Sequence, residues 1–435
     1  MEFSNEETVA LHHGYRSDPS TGAVCVPIYQ NTAYELQGEL SHVADVYNVR
    51  ADGFTYTRII NPTTRVLERR FAKMDHGVDS LAVATGQAAT FVALANLLSG
   101  KAGNNIIASP YMYGNSWNLL NNTFARLGVE ARMAASADPG CFEELIDDNT
   151  IALFGESISN PILVPLPIRE ISEIGRKYGI PLVVDNTVAP LIGHAGQLGA
   201  AVSIYSATKY ICGHGTTMGG LIVDHGKFDF TDNDRFPLFN NPDDAHGDII
   251  WAQACNEVND LGKSEMLLKA RMTWLRDTGG AISPYNSFQL IQGVETLPLR
   301  MKKHCENAGQ VADMLSQHPK VKSLVYPGHF IGRKKEIADE FFDASYGYGP
   351  MIMFDVEGGI EAGKRVIENV KLLYHVSNVG DARSLITHPV STTHTTVPRE
   401  KRMATGINDG SIRLCVGIEN PDDIIADLEQ AFRHI

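Results

Sequence analysis

From about residue 60 onward, short apolar runs alternate with stretches of helical spacing. The runs Leu81–Ala84, Asn105–Ser109, Thr150–Gly155, Pro181–Asp185, Val202–Tyr205 and Leu221–Val223 have strand length and carry few charges, as strands buried on both faces do. Between several of them, Gln87–Leu98, Phe142–Ile146 and Ile168–Tyr178 read as amphipathic helices. Upstream, Asn61 can cap a helix and Pro62 suits its first position. Val66, Leu67, Phe71 and Met74 then share one face until Gly77. This alternation predicts an α/β domain over 61–285, with a mostly parallel sheet, helices on both faces and a ligand beyond the carboxyl ends of the strands.

The flanks read differently. Residues 1–60 mix Pro, Gly, Asn and Tyr with little periodicity, which predicts an extended arm. Segment 227–262 is acidic and aromatic, too rich in large apolar side chains for a linker, and predicts a long ordered loop. A helical region from Asn286 to about Gln317, interrupted at Pro298, leads into strand-like Gly349–Val356 and Ser411–Val416. With helices at Ile360–Val370 and Pro421–Phe432, the latter capped by Asn420, these predict a smaller α+β domain over 286–435.

At 435 residues, 43% hydrophobic and 20% charged, the chain is long enough for two domains of an ordinary globular protein. Its net charge of −14, with no Lys/Arg stripe, argues against a nucleic-acid partner. Six scattered cysteines form no C-x-x-C pair, and fifteen histidines form no H-x-x-x-H or H-E-x-x-H. Reduced thiols and no metal site are therefore expected, with His388 and His394 read as hydrogen-bonding residues. The acidic, polar start Met1–Ala10 does not resemble a signal peptide, and no apolar run has the length of a membrane span. The expectation is a cytoplasmic protein without membrane contact.

Candidate chemistry centres on Lys209. It follows the run ending at Tyr205, sits in Ser206-Ala207-Thr208-Lys209-Tyr210, and precedes a loop rich in Gly and Thr. An amine at a strand end beside hydroxyls and near-bare backbone suits a Schiff base with pyridoxal 5′-phosphate (PLP), with Ser206 and Thr208 on the phosphate. In isolation the fragment reads better as a solvated lysine after a buried strand, and it is the rest of the chain that favours the cofactor reading. Asp185, at the tip of the preceding run, can pair with the pyridine nitrogen and keep the ring an electron sink; the alternative is a turn cap. Gly86 and Gln87 open a helix whose N–H groups attract a phosphate, a signal common to many helix starts. Tyr113 either stacks on the ring and transfers protons or packs in the core. Asn160 either bonds the ring hydroxyl or makes a plain Asn-Pro turn. Arg413, inside an apolar strand, needs a partner: a substrate carboxylate or an internal acid.

Five blocks occur in the order found in PLP-dependent enzymes of cysteine and methionine metabolism. They are Tyr56–Thr63, Ala84–Ala89, Val184–Thr187, Ser206–Tyr210 with its glycine loop, and His388–His394. The chain resembles that family over nearly its whole length. The resemblance implies the aspartate-aminotransferase-like fold (fold type I) with PLP as cofactor. Tyr56 and Arg58 would then reach the phosphate of a neighbouring subunit, in a homodimer with shared sites, usually within a tetramer. It adds Thr187 to the cofactor contacts, gives Glu156 an orienting role there, and sets Asn378 with Arg413 on the substrate carboxylate. Arg276–Pro284, Gln292–Arg300, Asn378–Leu385 and the 227–262 insertion resemble the branch that replaces the γ-substituent of O-acetyl-L-homoserine with sulfide or a small thiol. There are two departures. Asn115 faces the substrate's γ-end where that branch usually has Gly and the family's γ-lyases have Cys, which keeps γ-elimination as the alternative reaction. The arm segment Ala33–Gln37 also departs from the branch's pattern.

Overall fold

The apolar runs pair into two sheets in a computed structural model that describes residues 3–36, 38–256, 262–393, 395 and 398–435. The first sheet contains β1 (Asp79–Val83), β2 (Asn105–Ala108), β3 (Glu130–Met133), β4 (Thr150–Glu156), β5 (Leu182–Asp185), β6 (Val202–Tyr205) and β7 (Gly220–Asp224). Their order is β1-β7-β6-β5-β4-β2-β3, parallel from β6 to β3, with β7 antiparallel to both neighbours. Every residue of β1, β2, β4, β6 and β7 is buried, which explains why these strands read as unbroken apolar runs. Two apolar cores lie on its faces. One is built around Leu153, Leu182, Val184 and Leu221, the other around Ile106, Ile151, Val183 and Ile222.

The second sheet is β10-β11-β12-β9-β8, with β8 Val321–Val325, β9 Met351–Val356, β10 Tyr374–His375, β11 Leu385–Thr387 and β12 Ser411–Cys415. Alternate residues divide its faces. Ile352, Phe354, Ile412 and Leu414 pack on helices Leu297–Gln317, Gly359–Asn369 and Pro421–Phe432, while Met351, Met353 and Cys415 join the core of the first sheet. The second sheet is thus pressed against the first, and β12 can present Arg413 to the first sheet's edge.

Several expectations need correction. The stretch 1–60 contains helices Glu6–His12 and Leu40–Tyr47, and Val9 and Ala10 of the first are buried in a core cluster, so the arm is anchored at its start. The helix expected at Phe142–Ile146 runs Pro139–Glu143, because Asp138 caps it through Gly140 N–H. The helical region after residue 284 is two helices, Pro284–Glu295 and Leu297–Gln317. Pro298 lies in the first turn of the second, where its missing N–H costs no bond. Over its described residues 227–256, the long loop expected there is held by its aromatic residues and carries a short helix, Pro237–Asn240: Phe230 stacks on Phe239 at 4.3 Å, and Trp251 Nε1 donates to Asp243 at 2.9 Å. Residues 257–261 of that insertion, Gln37, His394 and Met1-Glu2 of the N-terminal stretch lie outside the described residues. All six cysteines are free, and no helix among the described residues is long and apolar enough to cross a membrane.

Candidate active site

The four strands β1, β4, β5 and β6 run in one direction and end on one edge of the first sheet, where β7 begins. Beyond that edge lies a cavity of about 490 Å³. Each strand exit supplies residues to it: Thr85, Gly86 and Gln87 after β1, Glu156 and Asn160 from β4, Asp185 and Thr187 from β5, Ser206, Thr208 and Lys209 after β6. Tyr113 and Asn115 enter from the segment after β2, and Asn378 and Arg413 from the second sheet's side.

The local chemistry explains the positions. Thr85 caps helix Gly86–Ala95 by accepting from Ala88 N–H at 3.0 Å. A Cβ on Gly86 would stand 2.5 Å from Ser206 Cβ and 2.8 Å from its Oγ, so glycine is what lets that helix start meet the lysine block. Thr187 Oγ1 accepts from Ser206 N–H at 2.7 Å, tying the β5 exit to the β6 exit. Thr208 Oγ1 donates to Gly219 O and accepts from Gly219 N–H, at 3.2 and 3.1 Å, so its hydroxyl is engaged by the backbone of the following loop.

Glu156 and Asp185 are cross-strand neighbours in the β4–β5 ladder, and both are buried. Burial pushes the Glu156 carboxyl up to about 8, reinforced by the adjacent Asp185. Burial also raises Asp185, against hydrogen bonds from Thr187, whose N–H donates to Oδ1 at 3.0 Å. The two carboxylates divide their work. Glu156 accepts from the backbone N–H groups of Tyr113 (2.5 Å) and Asn160 (3.0 Å), fixing both segments, while Asp185 lines the cavity.

Lys209 Nζ donates to Asn378 Oδ1. Burial, then the charge of Arg413, pushes its ammonium below the usual lysine range, which favours the nucleophilic amine. Arg413 donates to Asn160 Oδ1 at 3.1 Å and to Asn378 O at 2.9 Å, both neutral acceptors, and its Nε is buried without a partner. An arginine so held retains its charge for an anion. Tyr113 is half-exposed, and its hydroxyl accepts from Asn115 Nδ2 at 2.9 Å.

These features suit a phosphorylated pyridine aldehyde. A buried carboxylate can pair with a ring cation, a lysine of lowered pKa can attack a carbonyl carbon, and a helix start with a bare glycine can take a phosphate. Lys209, Asp185, Asn160, Tyr113, Asn115, Gly86, Gln87, Thr187, Ser206, Thr208, Asn378 and Arg413 are brought together. Tyr56 and Arg58 are not: they lie beside Met272 and Arg276, with the Arg58 guanidinium 4.8 Å over the Tyr56 ring. Thr85, Ser377 and Thr393 also line the cavity. Thr85 was recoverable as an N-cap before a helix, whereas Ser377 carries no local signal. His388 hydrogen-bonds Ser391 and Asp409 O, a structural role for the block that contains it.

The family model described as Cys/Met metabolism PLP-dependent enzyme matches residues 7–433. The O-acetyl-L-homoserine sulfhydrylase of Leptospira meyeri is 39% identical, covering 99% of this chain and 97% of its own length. The homocysteine synthase of Schizosaccharomyces pombe is 38% identical, with coverage of 99% and 99%. A solved structure from Campylobacter jejuni, described as an O-acetylhomoserine (thiol)-lyase with N′-pyridoxyl-lysine-5′-monophosphate, matches with a TM-score of 0.91 at 36% identity. That match covers 99% of this chain and 100% of the other.

Proposed function

The chain belongs to the Cys/Met metabolism PLP-dependent enzyme family, and from that premise we propose that it replaces the acetate of O-acetyl-L-homoserine with sulfide or a small thiol. The observation that carries the reaction is full-length similarity, at 36–39% identity, to O-acetyl-L-homoserine sulfhydrylases. The Cγ–O bond breaks with its electron pair leaving on acetate, a Cγ–S bond forms to hydrosulfide, and homocysteine results.

PLP, when bound, supplies an electron-withdrawing ring that stabilises negative charge developing on the substrate carbons. Asp185 would pair with the ring nitrogen and keep it protonated, Gly86, Gln87, Ser206, Thr208 and Thr187 would hold the phosphate, and Asn160 would bond the ring hydroxyl. Arg413 and Asn378 grip the substrate carboxylate. Lys209 Nζ takes the Cα proton and returns it, and burial beside the Arg413 charge lowers its pKa in the direction that favours the free amine. Tyr113 shares the proton transfer, its hydroxyl fixed by Asn115. In the proposed division into 61–285 and 286–435, catalytic and carboxylate-binding groups come from opposite sides of the cavity. A protein of this kind works in the cytoplasm.

Asn115 supports a second reading, γ-elimination to a 2-oxo acid and ammonia, because it places an amide beside Tyr113 in the cavity. Incubation of the holoenzyme with O-acetyl-L-homoserine, with and without sulfide, separates the two. Homocysteine dominating in the presence of sulfide is the expected result; 2-oxobutanoate persisting at saturating sulfide would make the enzyme a lyase.

Tyr56 and Arg58 complete the phosphate site of a second copy, in a homodimer that pairs into a tetramer. Their position outside their own chain's cavity supports this. Arg58→Ala and Lys209→Ala homo-oligomers should each be nearly inactive, and subunit exchange between them should restore part of the activity by assembling intact sites. No recovery after verified exchange would return Arg58 to a role within its own chain.

A further inference from the structure

A second polar cluster stands apart from the PLP cavity and shares no residue with it. Glu6 opens the N-terminal helix, His76 follows helix Pro62–Met74, and His194 lies in the segment after β5. One ligand atom from each falls within 4.8 Å of the others. Glu6 Oε1 is 3.9 Å from His194 Nε2, and the His76 and His194 rings meet edge to face at 4.8 Å between centroids. Glu6 Oε2 accepts from the Tyr346 hydroxyl at 2.5 Å, which orients the carboxylate and turns its other oxygen to the histidines. His194 Nδ1 is buried without a hydrogen-bond partner. His76 holds a left-handed φ of 55°, a conformation uncommon for a non-glycine residue.

The surroundings favour a cation. Asp343 and Glu7 add negative charge around Glu6. Two imidazoles and one carboxylate suit zinc and its neighbours better than magnesium or calcium, which prefer all-oxygen shells. With bonds of about 2.0–2.2 Å, tetrahedral ligands stand roughly 3.3–3.5 Å apart, so occupancy asks for side-chain movements of about 1 Å. Spacing rules along the sequence do not reach a site assembled from residues 6, 76 and 194.

We propose that Glu6, His76 and His194 bind a divalent transition-metal cation of the zinc type, with water in the fourth position, and that the ion fastens the N-terminal helix to the body of the chain. Untagged holoenzyme, stripped with a chelator and dialysed against micromolar Zn²⁺, should retain one Zn²⁺ per chain by elemental mass spectrometry and melt at a higher temperature than the stripped protein. His76→Ala, at an exposed position, should lose both the bound ion and the shift. Glu6→Gln, which keeps the size of the side chain, should do the same and guards against a misfolded first variant. Failure of the wild type to retain zinc, or equal retention by wild type and both variants, as the six cysteines would give, overturns the assignment.

Discussion

Replacing Lys209 with alanine leaves a folded protein that no longer turns over O-acetyl-L-homoserine. The loss should be roughly 10⁴-fold or more, the upper end of what one positioned proton-transfer group supplies. No neighbour can substitute for it. The Arg413 guanidinium is held by Asn160 and Asn378, and the Tyr113 hydroxyl is engaged by Asn115. The surrounding cradle does not depend on the lysine side chain: Lys209 N–H bonds Ser206 O, and Thr187, Ser206, Thr208 and Gly219 are tied through backbone and hydroxyl groups. The variant should therefore keep its circular dichroism and bind PLP reversibly. Borohydride reduction of the wild type should add a pyridoxyl group to the peptide containing Lys209, and no such mass should appear in the variant. A variant with substantial turnover would remove Lys209 from the chemistry and the proposed reaction with it.

The lysine block was legible because its cause is local: a buried strand, a sharp exit, small residues and a lysine. The same holds for Asp185, one strand earlier, and for Gly86, whose need to be glycine is set by Ser206. What the sequence hid is built from long-range contacts. Asn378 was reached only through the family resemblance, because no local pattern of its loop assigns it a role and its contact with Lys209 spans 169 positions. Strands β3 and β8 went unread because they are edge strands with partly exposed residues, so neither shows an apolar run. Helix Gly332–Phe341 is mostly charged, with only Ile337, Ala338 and Phe341 buried, a stripe too thin to stand out. Helix Glu6–His12 is too short to register as periodic, and it buries only Val9 and Ala10.

Asp185→Asn should reduce kcat by about 10²–10³-fold at saturating PLP, the cost of removing one preorganised charge from a site where charge develops. Asparagine keeps the shape and the acceptor that Thr187 N–H uses at 3.0 Å, so a large effect on rate with little effect on folding would isolate the charge. The cofactor-free protein supplies an independent readout. Glu156, beside Asp185 in the ladder, is raised from 4.5 to about 8 by burial first and by Asp185 second. A carboxyl raised in the folded state stabilises the fold below its ordinary pKa and loses that contribution as pH rises through the folded value. Stability of the cofactor-free wild type should accordingly fall from about pH 4.5 to about pH 8 and level off there as far as Glu156 is concerned, and Asp185, raised in the same direction, adds to the fall. In the asparagine variant the like charge is gone, Glu156 ionises at lower pH, and the alkaline loss shrinks. Chemical denaturation across that range measures it. If the variant matched the wild type at every pH and also kept its rate, Asp185 would be an ordinary buried acid with no part in the reaction.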